Sequence, residues 1–239
     1  MIDTHCHIDL HDRPLDAISK FTSRQMECVS VTMLPSHYKL SLPHLEAYDN
    51  IHASLGLHPL RAREGKRELA QFIQLAKAAE YIGEIGLDFS RDGKSTRALQ
   101  EEMFAEVLPS LKGGKFVSVH SRESAKKLLE MLSEARVAPV CFHYFTGAPS
   151  LAQEVIQAGH YMSFNLRMLT GRHKSLLSQV PAERVLIESD APFLTESPHL
   201  AVANAYSTVA KHWGITLPEA EGLISRNFLR CRTARDITC

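Results

Sequence analysis

No two of the five cysteines (Cys6, Cys28, Cys141, Cys231 and Cys239) stand in a CxxC spacing, and their number is odd. A disulfide framework and a zinc knuckle are therefore excluded as sources of stability, and a reducing cytoplasm suits the chain. Neither sign of charge is in excess, since 27 Lys and Arg face 27 Asp and Glu. That balance argues against gripping nucleic acid through a broadly basic surface, so an anionic substrate must be held by a local charge. No apolar run approaches the ~20 residues of a membrane-spanning helix. The opening Met1-Ile2-Asp3-Thr4-His5 lacks a basic stretch followed by an apolar one. The expectation is a soluble, unsecreted, cytoplasmic protein with no membrane partner. No Pro/Ser-rich linker, low-complexity tract or internal repeat divides the sequence, and residues 1–239 read as one domain.

What is present is an ordinary globular composition, 44% hydrophobic and 23% charged, with 13 histidines. Short apolar or β-branched runs alternate with longer amphipathic segments, the pattern of repeated βα units around a parallel sheet. Eight strands are predicted, at residues 1–5, 28–33, 51–55, 81–85, 115–119, 138–142, 160–164 and 184–188. The clearest helices fall at 96–111, 122–134, 150–158 and 199–212, with a last one near 217–229. Ala125, Leu128, Leu129 and Leu132 recur at three- and four-residue spacing between Lys126, Lys127 and Glu130, as in a helix that covers a barrel. Gly113-Gly114 and Gly159 stand where helices should end. Eight undivided βα units favour a closed (β/α)8 TIM barrel over a doubly wound sheet. In such a barrel the chemistry gathers at the carboxyl ends of the strands.

The polar candidates fall at those ends. In Asp3-Thr4-His5-Cys6-His7 the two histidines are two residues apart, so an extended chain points both imidazoles to one side. Glu84 closes the fourth strand in Gly83-Glu84-Ile85-Gly86-Leu87-Asp88, flanked by glycines that allow close approach, and is a natural bridging carboxylate. His120 follows the fifth strand and His143 the sixth, while Asp190 ends the eighth, where it could bind a metal and orient water. Taken singly, each has a plainer reading as a core histidine, a helix cap or a solvated acid. Six potential ligands (His5, His7, Glu84, His120, His143 and Asp190) at strand ends do not converge by chance. Imidazole and carboxylate donors suit zinc, manganese, iron or magnesium. Two ions sharing Glu84 would activate a water and draw charge from a phosphoryl oxygen. Arg91, Arg122 and Arg167 stand just beyond strand ends, where a guanidinium could grip phosphate, and His58 in Gly56-Leu57-His58-Pro59 could contact substrate from the same mouth.

These motifs, with His143-Tyr144-Phe145-Thr146-Gly147 and Ile187-Glu188-Ser189-Asp190-Ala191-Pro192, resemble the TatD family of metal-dependent deoxyribonucleases within the amidohydrolase-like barrels. Gln100, Phe104, Gly159, Ser163 and Asn227-Phe228 also fall where that family's pattern has them. The resemblance implies two divalent ions (Zn, Mg or Mn) on the same six ligands, with Asp190 and Glu84 as the catalytic carboxylates. It also implies hydrolysis of single-stranded DNA or another phosphodiester, in the 3′ to 5′ sense. Two segments depart from the pattern: Phe164-Asn165-Leu166-Arg167 after the seventh strand and Ser197-Pro198-His199-Leu200-Ala201-Val202 after the last acid. In this the chain is similar to shorter, divergent members such as the TatD-like component of Qat anti-phage systems, which implies protein partners in a defence complex.

Two other readings compete. Barrels that open with HxH also hydrolyse amides, lactones or amidines, many of them through a strand-end lysine that bridges two metals. Here Lys115 begins a strand and Glu84 occupies the bridging place. A barrel that keeps its ligands could also serve as a noncatalytic subunit.

Overall fold

The structure is a computed structural model and describes residues 1–233; Cys239 lies outside the described residues. Eight parallel strands follow one another in sequence order around the sheet: β1 (Ile2–Cys6), β2 (Glu27–Val31), β3 (Ile51–Leu57), β4 (Tyr81–Gly86), β5 (Phe116–His120), β6 (Cys141–Phe142), β7 (Tyr161–Phe164) and β8 (Val185–Ile187). The sheet closes on itself just beyond its last strand, where the Asp190 N–H donates to the His5 carbonyl at 2.9 Å and the His7 N–H to Ala191 at 2.8 Å. The Thr4 hydroxyl adds a bond to the Ile187 carbonyl at 3.0 Å. The expected (β/α)8 barrel is the observed one. Closure at this rim also ties the HxH segment of β1 to the segment that carries Asp190.

The helices are α1 (Pro14–Thr22), α2 (Pro35–Leu45), α3 (Ala62–Leu75), α4 (Arg97–Val107), α5 (Ala125–Glu134), α6 (Pro149–Gln157), α7 (Leu166–Thr170), α8 (Pro198–Trp213) and α9 (Leu217–Thr233). They shield the outward side chains of the strands. On α5, Leu128 and Leu132 are fully buried, as are Val119, Phe142, Met162 and Leu186 of the strands. Each such side chain contributes about 1.5–3 kcal/mol by leaving water. No described helix is long and apolar enough to cross a membrane. Cys6, Cys28, Cys141 and Cys231 are buried and free.

Among the boundaries that differ from expectation, three have a clear local reason. The sixth strand shrinks to Cys141–Phe142, because Pro139 has no N–H and the Val140 N–H donates instead to His160 Nδ1 at 3.2 Å. The helix expected over 96–111 ends at Val107 and tightens into a 3₁₀ turn over Leu108–Leu111, since Pro109 cannot donate to a continuing helix. The helix expected from residue 122 begins at Ala125. Its preceding residues are held at the end of β4: the Phe89 N–H donates to the Arg122 carbonyl at 3.0 Å, and the Ser124 hydroxyl to the Leu87 carbonyl at 2.5 Å.

Candidate metal centre

At the carboxyl rim of the barrel five imidazoles converge on the carboxylate of Glu84. Its Oε2 lies 3.5 Å from His5 Nε2, 3.3 Å from His7 Nε2 and 3.3 Å from His58 Nε2. Its Oε1 lies 2.5 Å from His120 Nδ1 and 2.7 Å from His143 Nε2. Asp190 joins them, with Oδ1 4.0 Å from His5 Nε2. All six expected ligands therefore meet in one place, and Glu84 is only 2% exposed. Asp190 takes a left-handed backbone conformation (φ 51°) at the end of β8, one that Asp tolerates better than most residues.

Backbone geometry at β4 accounts for the glycines beside Glu84. Gly86 has φ 131°, and a Cβ there would stand 2.2 Å from the His120 carbonyl oxygen; a Cβ on Gly83 would meet Ser118 at 2.9 Å. The close neighbour is thus the backbone of β5, not a ligand, and this proximity brings Glu84 and His120 together.

The far nitrogens of two histidines are hydrogen-bonded to other side chains, which fixes the nitrogen each presents to the centre, and that of a third faces a carboxylate. His5 Nδ1 is 2.8 Å from Ser118 Oγ, and His120 Nε2 is 2.8 Å from Asp88 Oδ2. His143 Nδ1 faces Glu188 Oε2 at 3.7 Å. Glu188 is itself anchored by the Ser163 hydroxyl, by Asn165 Nδ2 at 3.0 Å and by the Tyr144 N–H at 3.1 Å. Asp88 accepts the Ser90 N–H at 2.9 Å and the Ser90 hydroxyl at 2.5 Å. Sequence reading gave none of Ser118, Asp88 and Glu188 a role, although two signals were available. Ser118 is two residues before His120 and so shares its face of β5, and Glu188 is likewise two residues before Asp190.

His58 behaves differently. Its Nδ1 accepts the Leu60 N–H at 3.1 Å, so in the neutral ring Nε2 carries the proton and donates toward Glu84. Although His58, Glu84 and His120 are close enough to share a cation, this tautomer makes His58 a hydrogen-bond donor toward Glu84. The arginines scatter. Arg122 lies 3.4 Å from Asp92 in an exposed pair, Arg91 is exposed in the loop after β4, and Arg167 is exposed on α7. None of the three takes part in the cluster of ion pairs around Glu84.

Burial works to raise Glu84, but His58, His143 and His120 outweigh it and hold the carboxyl well below the usual range. Burial likewise opposes the charging of His143 and His120; Glu84, with Glu188 at the first and Asp88 at the second, lifts both above an ordinary histidine. His5 is pushed down to about 3 by burial and by His143. Asp190 is pushed up to about 7 by burial, against the pull of His143. Both histidines therefore hold a proton more readily than an ordinary imidazole, and a cation taking those nitrogens competes with it.

The residues fit divalent cations. His5 Nε2 and both nitrogens of His7 are buried without a hydrogen-bond partner, a cost that a metal would remove. His5, His7 and Asp190 can share one ion by proximity, and Glu84 adjoins the rest. The donors are nitrogen and oxygen, as zinc, manganese or magnesium would accept. Asp3, Cys6 and Cys28 also lie close together, and burial pushes both thiols up.

Known proteins share this arrangement of chain. A structure of YJJV, a TatD homologue from Escherichia coli K12, superposes with a TM-score of 0.83 at 22% identity, covering 96% of this chain and 97% of that one. The uncharacterized metal-dependent hydrolase YabD of Bacillus subtilis is 29% identical over 223 residues, 87% of each chain. The human deoxyribonuclease TATDN3 is 26% identical over 259 residues, spanning 96% of this chain and 93% of its own. The family model described as TatD related DNase matches residues 2–232. With nearly all of its length accounted for by that model, the chain belongs to the TatD family of related DNases.

Proposed function

We propose that this chain is a metal-dependent deoxyribonuclease that cleaves phosphodiester bonds in single-stranded DNA, removing nucleotides in the 3′ to 5′ sense. Two divalent cations held by His5, His7, Glu84, His120, His143 and Asp190 would acidify a water and withdraw charge from the phosphoryl group. The observation that carries the reading is the convergence of five imidazoles on the Glu84 carboxylate, with partnerless buried nitrogens on His5 and His7.

The chain's own groups then have distinct tasks. Asp190, beside His5, orients the attacking water for in-line approach to phosphorus and accepts its proton. Glu84 spans the two halves of the histidine cluster. Once cations engage Glu84, the His58 Nε2–H that now faces it would be free to donate to a phosphoryl oxygen. Ser118, Asp88 and Glu188 keep the imidazoles aimed. Neutral overall charge is consistent with this scheme, since the cations supply the field that the surface lacks. The amide or lactone reading is disfavoured because Lys115 precedes β5 and gives its ammonium to the Ala76 and Ala79 carbonyls at 2.8 and 2.7 Å, away from the centre.

The test is metal analysis together with digestion of 3′- and 5′-labelled single-stranded oligonucleotides under Mg²⁺, Mn²⁺ and Zn²⁺. Stepwise release from the 3′ end, abolished in Glu84→Gln, is expected. A fully loaded centre with no turnover on any strand would refute the enzymatic reading and favour a noncatalytic subunit of a defence complex.

A further inference from the structure

Next to the metal centre, on the β8 side of the rim, lies a second concavity of about 460 Å³. It opens between α7 and the first turns of α8, and residues 189–197 form another wall. No candidate metal ligand lines it, yet its floor adjoins them. Asn165, which lines the cavity, gives its amide to Glu188, the partner of His143, and Ser189 directly precedes Asp190. Phe193 bridges the two regions: its ring is 61% exposed and stands edge-on to His7 at 5.1 Å, and the next residue, Leu194, lines the cavity.

The lining is chemically divided. Arg167 and Asn204 offer a cation and an amide, whereas Leu194 and Leu200 offer apolar surface. Arg122 is occupied by Asp92 at 3.4 Å, but Arg167 pairs with no acid among the described residues and is solvent-exposed. An inorganic phosphate would leave the leucines uncovered. A wholly apolar ligand would leave the guanidinium unused. A nucleotide unit has both an anion for the guanidinium fork and a flat apolar face for the leucines. The volume falls in the range of small-ligand sites.

We propose that this cavity binds the nucleotide unit adjoining the phosphodiester under attack, with Arg167 on its phosphate, Asn204 on a polar edge, and Leu194 and Leu200 against the base. The assignment rests on the phosphodiesterase reading above and specifies its substrate. Six of its eleven lining residues, Arg167 and Leu200 among them, come from Phe164-Asn165-Leu166-Arg167 and Ser197-Pro198-His199-Leu200-Ala201-Val202, the two segments that depart from the family pattern. The cavity is therefore where this chain's substrate preference is set.

The experiment compares metal-saturated wild type, Arg167→Ala and Leu200→Glu on a single-stranded oligonucleotide and on bis(p-nitrophenyl) phosphate, which has no nucleoside. In parallel, 5′-dAMP binding to each protein is measured by calorimetry in EDTA. Arg167 and Leu200 are exposed, so neither change should unfold the chain; thermal melting checks this. Each variant should lose about tenfold or more in kcat/KM on the oligonucleotide relative to its loss on the small ester, mainly through KM, and should bind 5′-dAMP about tenfold more weakly. Equal losses on both substrates, or no measurable 5′-dAMP binding to wild type, would overturn the assignment. If wild type cleaves neither substrate, the phosphodiesterase reading fails and the calorimetry alone decides the cavity.

Discussion

Replacing Asp88 with Asn tests whether the groups behind the histidines tune metal binding. Asp88 Oδ2 receives His120 Nε2 at 2.8 Å, and the other oxygen takes the Ser90 N–H at 2.9 Å. An asparagine can keep its carbonyl on Ser90, but it then presents an NH₂ donor to His120 Nε2. The neutral ring that a cation needs would then keep its proton on Nδ1, the nitrogen that lies 2.5 Å from Glu84 Oε1 and faces the centre. A protonated nitrogen cannot ligate. Loss of such an outer partner costs about 10–100-fold in metal affinity, or roughly 1.4–2.7 kcal/mol. The assay is competition for Zn²⁺ or Mn²⁺ against a chromophoric chelator, with Asp88→Glu as a partial rescue and thermal melting of the EDTA-treated protein as the folding control. Unchanged affinity in a folded Asp88→Asn protein would refute the reasoning, because the tautomer of His120 would then not matter.

Asp190→Asn, assayed with saturating metal, should lower kcat by about 10²–10⁴-fold on an oligonucleotide; turnover near wild type with the ions bound would remove Asp190 from the water-activating role. A third prediction concerns acid stability, away from the metal centre. Burial pushes His160 down to about 4, helped by Arg184, so its neutral form stabilises the fold fully above the unfolded value near 6.5. That contribution, about 3 kcal/mol, fades as pH falls toward 4. The wild-type advantage in unfolding free energy over His160→Gln should therefore shrink by about that amount between pH 7 and pH 4. A pH-independent difference would contradict it. Gly86→Ala should destabilise the protein by several kcal/mol or prevent folding, since its Cβ would meet the His120 carbonyl at 2.2 Å; chemical denaturation decides.

The barrel and the gathering of His5, His7, Glu84, His120, His143 and Asp190 at one rim were legible because both are written in local patterns. Val117-Ser118-Val119-His120 alternates as a strand should, and a polar residue straight after such a run lands on the rim. The length of β6 was not legible, because it depends on the Val140 N–H finding His160, 20 residues away. Arg122 illustrates the same limit. Its place beside a ligand motif suggested a phosphate grip, but its neighbour Asp92, 3.4 Å away on the loop after β4, could not be read from that motif. The orientation of His58 depends on the Leu60 N–H, a turn geometry that no periodicity encodes. The cavity beside α7 exists only once α8 packs against α7, so its two sequence segments read as departures from a pattern until the fold joined them.

Anomalous diffraction from crystals grown with Mn²⁺ tests the central claim most directly. Two peaks are predicted within the space enclosed by His5, His7, Glu84, His120, His143 and Asp190, and both should vanish in Glu84→Gln. Peaks elsewhere on the molecule, or none at saturating ion, would contradict the account.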